Sequence, residues 1–162
     1  MQQAIPEASR NDEETSACLA LFLDYYRRNI SVHTRPYPGI PEMLTKLSGA
    51  GVRLAVASNK FQEGTSDLVS AFFPDLDFVE VLGNRPGAPL KPDAGVLKMI
   101  MDKAGAAAER TVMVGDSRTD LVTAANAGVT GVAVSWGFRP REDLVDAAFI
   151  ADSVGELTDF LL

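Results

Sequence analysis

VMVGDSRTDL, residues 112–121, runs an apolar segment into a single glycine and then sets two carboxylates four residues apart, Asp116 and Asp120. An apolar run that stops at glycine reads as a short buried strand, and the residues beyond it read as the opening of a helix. Acids at such a junction have two explanations. Asp116 or Ser117 can cap the helix, with Asp120 in its first turn complementing the macrodipole. Alternatively, the pair offers hard oxygen ligands to a divalent cation at a strand's carboxyl end. The stretch alone does not choose between them.

The pattern on either side is regular. Short apolar runs at 52–58, 77–83, 111–115, 130–136 and 147–152 alternate with helical segments near 41–50, 61–73, 93–104, 117–128 and 154–162. Nearly continuous apolar strands separated by single helices predict a parallel sheet buried on both faces, hence a doubly wound, Rossmann-like α/β fold. Ligands in such folds sit in the crevice at the carboxyl ends of the strands. Ahead of this pattern, DEETSACLALFLDYYRRN carries acids first and arginines last, with Leu19, Phe22, Tyr26 and Ile30 near helical spacing. It reads as one amphipathic helix. RPYPGIP, with three prolines and a glycine, cannot continue that helix and marks a boundary, so the expected organisation is residues 1–34 and 35–162.

Composition narrows the function. A chain of 162 residues, 46% hydrophobic and 23% charged, is long enough for one good core. A net charge of −7 argues against a nucleic-acid partner. No apolar run reaches the length of a membrane span, and one cysteine, Cys18, fits a reducing cytoplasm. His33 is the single histidine, in a polar stretch, which excludes a multi-histidine metal site.

Three polar signals fall at the same expected edge. Ser58 and Asn59 end the first strand before a helix, where a hydroxyl and free amides suit a phosphate oxygen, or simply form a turn. Lys91 lies in PLKPD between two prolines and can hold a point charge against phosphate or acids, or stand in solvent. The carboxylate pair Asp116 and Asp120 is the third. Hydroxyl and amides, a fixed cation and paired acids together are the parts needed for phosphoryl transfer. GNRPGAPLK lacks P-loop spacing, and no G-x-G-x-x-G is present.

With PYPGIPEMLTKL, LAVASNK, FFPDLDFVEVLG, PLKPD, VGDSRTDLVTAANAG and VSWGFRP in this order, the chain resembles the haloacid dehalogenase-like hydrolases, and among them the phosphoglycolate phosphatases. The resemblance implies that Ser58 and the Asn59 amide bind the transferring phosphoryl group and that Lys91 neutralises charge on phosphate and nucleophile. It also implies that Asp116 ligates Mg²⁺ with Asp120 helping to hold the site, that the substrate is a small phosphorylated metabolite, and that IPEASRNDEE is part of a helical cap.

One family feature is missing: an Asp-x-Asp pair followed by Gly-Thr at the end of an N-terminal strand, whose first acid attacks phosphorus. Asp75-Leu76-Asp77 precedes a strand and reads as a solvated turn. The expectation is therefore an N-terminally truncated, inactive phosphatase; the alternatives are a non-catalytic phosphate- or Mg²⁺-binding module and one half of a complementing pair. In the family the missing strand is central, between the equivalents of 52–58 and 111–115. Unpaired backbone groups are costly, so those two strands are expected to close up and pair directly. The helix at 13–30, short of cap partners, is expected to expose its apolar stripe and to pair with a second copy.

Overall fold

The computed structural model describes residues 5–7 and 10–162. It divides into two compact units, residues 1–35 and 36–162.

The first unit is built on helix α1, Asp12–Asn29. Asn11 caps it, its side-chain oxygen accepting from the Glu14 amide at 2.8 Å. Asp12, Glu13 and Glu14 occupy the first turn and Arg27 and Arg28 the last, the polarity that the macrodipole favours. No residue of α1 is buried. Exposure is not greatest on the stripe expected from sequence. Tyr26 is half-buried and Ile30 is buried, whereas Leu21 and Tyr25 are 73% and 69% exposed.

The second unit carries five strands and five helices, which alternate from the opening helix onward except that only a 3-10 turn, Arg141–Leu144, separates the last two strands. The order is α2 (Ile40–Gly49), β1 (Leu54–Phe61), α3 (Gln62–Phe72), β2 (Phe78–Asn84), α4 (Gly95–Ala104), β3 (Val112–Gly115), α5 (Arg118–Ala127), β4 (Thr130–Val134), β5 (Phe149–Ala151) and α6 (Val154–Leu161). Gly105 and Gly128 end α4 and α5 in the left-handed conformation (φ 59° and 71°), which costs glycine nothing. Helices cover both faces. Leu82 and Met113 pack with Leu97, Ile100 and Ala124 of α4 and α5, whereas Leu54, Val132 and Ala151 pack with Met43, Leu47 and Leu157 of α2 and α6. Val132 and its neighbour Ala133 belong to different clusters, as alternation along a strand requires.

All strand pairs are parallel, but they form two sheets rather than one: β1–β2, and β3–β4–β5. The expected direct pairing of β1 with β3 does not occur. Between them lies a cavity of about 560 Å³, lined by Ala55 and Ala57 of β1, Val112 and Val114 of β3, and side chains from both helix layers, among them Met43, Leu157 and Ile100. Two effects hold it open. The helix layers are already packed, α2 on α6 and α4 on α5, so closing the gap would require side chains to interpenetrate. Water also meets the free edge. The Thr130 amide donates to the Thr111 carbonyl at 3.2 Å, so by the alternation of a parallel ladder Val112 and Val114 direct their amides and carbonyls away from β4. The two residues are 40% and 38% exposed, and solvated backbone groups escape the penalty for burial without a partner. The Val112 and Val114 amides should therefore exchange with deuterium faster than those of Met113 and Gly115. Equal protection along β3 would mean that the edge is covered.

Candidate functional site

The strand ends explain why polar residues gather. The regular β1–β2 register runs to Ala57 opposite Leu82 and resumes only at Phe61 opposite Asn84, so Ser58, Asn59 and Lys60 leave the ladder. Ser58 Oγ accepts from the Lys60 amide at 3.1 Å, which folds the segment into a tight turn. The Asn59 side chain makes two hydrogen bonds to Lys91, accepting from its backbone amide at 2.9 Å and donating to its carbonyl at 2.8 Å. This doubly bonded clamp fastens the loop after β2 to the end of β1. The Lys91–Pro92 peptide is cis, and the Asn126 side chain of α5 donates to the Pro92 carbonyl at 2.9 Å.

Lys91 then reaches the second sheet. Its Nζ lies 2.6 Å from Asp120 Oδ1, with side-chain exposures of 14% and 7% for the two partners. The other Asp120 oxygen, Oδ2, accepts from the Ser117 hydroxyl at 2.7 Å and from its amide at 3.2 Å. The two explanations for the acids are thus compatible. Asp120 closes a capping box with Ser117 at the start of α5, and it anchors the lysine.

Asp116 follows the last residue of β3. Its Oδ2 accepts from the Phe138 amide at 3.0 Å, in the loop after β4. Two glycines make room for the acids: a Cβ on Gly115 would fall 2.3 Å from Asp120 Cβ, and one on Gly137 would fall 2.2 Å from Asp116 Cβ. Gly137→Ala should therefore push Asp116 off its position and cost about 1–3 kcal/mol by overpacking. Urea denaturation checks this, and an unchanged midpoint would show that the loop shifts freely.

Asn59, Lys91 and Asp120 thus stand in one chain of hydrogen bonds that ties the end of β1 to the start of α5, with Ser58 beside Asn59 in sequence, whereas Asp116 bonds separately to Phe138. Asp75 and Asp77 are exposed ahead of β2, away from the carboxyl edge, and His33 is exposed. The sequence assigns no role to Gly137, the Phe138 amide or Asn126. It marks Ser117 as a candidate cap.

The donor set bears on a metal. Both Asp120 oxygens are engaged within the protein, whereas Asp116 accepts through one oxygen. Among the described residues no cluster of three or more metal-ligating side chains forms. Such a set fits a hard cation held by a single carboxylate and completed by phosphate and water, as Mg²⁺ accepts. Nearby, at the ends of β4 and β5, the Ser135 hydroxyl and then the Arg141 guanidinium hold the Asp152 carboxyl below its usual range.

The family model for haloacid dehalogenase-like hydrolase matches residues 1–134. A phosphoglycolate phosphatase of Mesorhizobium japonicum is 38% identical over 85% of this chain and 61% of its own length. A crystal structure from Lactobacillus delbrueckii, of a protein provisionally named a phosphoglycolate phosphatase, superposes with a TM-score of 0.88 at 34% identity, over 98% of this chain and 66% of that one. CbbY of Rhodobacter sphaeroides in complex with phosphate superposes with a TM-score of 0.65 at 28% identity, over 74% of this chain and 55% of that one. The chain spans about three fifths of the length of the curated relatives it matches.

Proposed function

Because the chain belongs to the haloacid dehalogenase-like hydrolase family, we propose that residues 36–162 are the phosphate- and Mg²⁺-holding part of a phosphoric monoester hydrolase acting on a small phosphorylated metabolite. The observation that carries this reading is Lys91. It is clamped by Asn59 and anchored by Asp120, between the Ser58 turn and the Asp116 turn. An ammonium pinned there neutralises a phosphoryl group as it transfers. The Ser58 hydroxyl accepts from Lys60, and its own proton is available to a phosphate oxygen. Asp116 is the residue suited to hold Mg²⁺, which would supply charge neutralisation at the same oxygens. Asp120 serves both by fixing Lys91 and the turn before α5. The likeness to phosphoglycolate phosphatases supports phosphoglycolate or a similar small monoester as the substrate, and residues 1–34 as part of a helical cap. The lone cysteine supports a cytoplasmic location.

Titration with inorganic phosphate and Mg²⁺ tests the site independently of turnover. The amides of Ser58, Asn59 and Lys60 should shift saturably in NMR spectra, and Ser58→Ala should weaken the response. Shifts scattered over the surface, with none at this turn, would overturn the assignment.

The cavity between β1 and β3 favours a second reading in which the chain is one half of a complementing pair. The edges of β1 and β3 that line this cavity, walled by apolar side chains, suit an inserted apolar strand whose carboxyl end would arrive beside Lys91 and Asp116. A partner strand of that kind would bring the attacking carboxylate. Without it the chain binds phosphate and does not hydrolyse the ester.

A further inference from the structure

We infer that α1 pairs antiparallel with α1 of a second copy of this chain, through the face bearing Glu14, Ala17, Leu21, Tyr25 and Arg28. All five residues are exposed, Leu21 and Tyr25 most of all among the apolar side chains of the helix. Their spacing of three, four, four and three residues keeps them on one side of the helix and reads the same from either end.

That palindrome gives the partner its identity. A two-fold axis through Leu21 sets Leu21 against its own copy, the small Ala17 against the bulky Tyr25, and Glu14 against Arg28. The isologous arrangement makes each contact twice. Charge supports the direction: acids fill the first turn and arginines the last, and from 15 to 26 the only charge is Asp24. Antiparallel helices bring opposite charges and opposite dipole ends together, whereas parallel helices would stack like on like. Arg28 already donates to both Asp24 oxygens, at 2.6 and 2.8 Å, and its guanidinium has further donors for Glu14 of the partner. An 18-residue helix is about 27 Å long, so the pair buries less than a standard interface and associates reversibly.

Sedimentation of the whole chain over a concentration series tests this. The expected result is a reversible monomer–dimer equilibrium, abolished by Leu21→Ser with Tyr25→Ser. Glu14→Arg and Arg28→Glu, each alone, should weaken association roughly tenfold, because both symmetric ion pairs become repulsive. Mixing these two variants should restore the dimer, a rescue that a merely unfolded helix cannot show. A monomer at every concentration, a dimer indifferent to Leu21 and Tyr25, or mixed charge variants that stay apart would each overturn the pairing.

Discussion

Lys91→Ala is expected to destabilise the fold by about 3–5 kcal/mol, a large part of the roughly 5–15 kcal/mol that holds a domain of this size. The pair it breaks is largely withdrawn from solvent, with 14% and 7% of the two side chains exposed. Exposed pairs such as Arg28–Asp24, at 73% and 59%, contribute far less because water and salt screen them. Removing the lysine leaves the Asp120 carboxylate buried with only Ser117 as a donor. The Asn59 clamp, made to the backbone of residue 91, is retained. Replacing both partners, as Lys91→Met with Asp120→Leu, should cost less than the sum of the single changes, since no uncompensated charge remains. Urea unfolding of the three variants measures this. A Lys91→Ala cost below about 0.5 kcal/mol would show the lysine to be effectively solvated.

The chain alone should give no measurable Mg²⁺-dependent hydrolysis of p-nitrophenyl phosphate. Covalent phosphoryl transfer needs a carboxylate free to attack in line with the leaving oxygen. At this edge Asp120 has both oxygens engaged, and Asp116 stands against Phe138 with one oxygen left, which a cation would take. Positioning and electrostatics from Lys91 and Ser58 remain, but without a nucleophile they give only weak residual acceleration. Turnover by the unmodified chain that disappears in Asp116→Asn would show that a residue already present attacks.

Much of this site is local chemistry and could be read from the chain. GDSRTD after an apolar run places acids at a strand end, and SNK after LAVA places a hydroxyl and amides at another, because strand termination and helix opening are written in adjacent residues. What joins them is not local. Nothing near Asn59 in sequence announces its clamp on Lys91, 32 positions away. Likewise the Phe138 amide behind Asp116 follows from how β3 and β4 align.

The state of the sheet was harder still to read. Alternation predicted parallel strands, and parallel strands are found. Whether 52–58 meets 111–115 depends on how far the helix layers hold β1 and β3 apart and on water reaching Val112 and Val114. Water at this edge takes the place of the protein partners that unpaired backbone groups would otherwise need. For α1, spacing correctly announced a helix. It did not show which apolar residues stay outside, and Leu21 and Tyr25 do so more than Leu19 and Phe22.

The most direct measurement adds a synthetic peptide to the chain: an apolar strand that ends in Asp-x-Asp-Gly-Thr. Hydrolysis of p-nitrophenyl phosphate is followed with Mg²⁺ present. Saturable turnover should appear only in the mixture, should vanish with Asp116→Asn, and should be accompanied by slower exchange of the Val112 and Val114 amides as the β3 edge becomes paired. A peptide that protects those amides without producing turnover would contradict the assignment of this edge as the phosphate- and metal-holding half of a hydrolase.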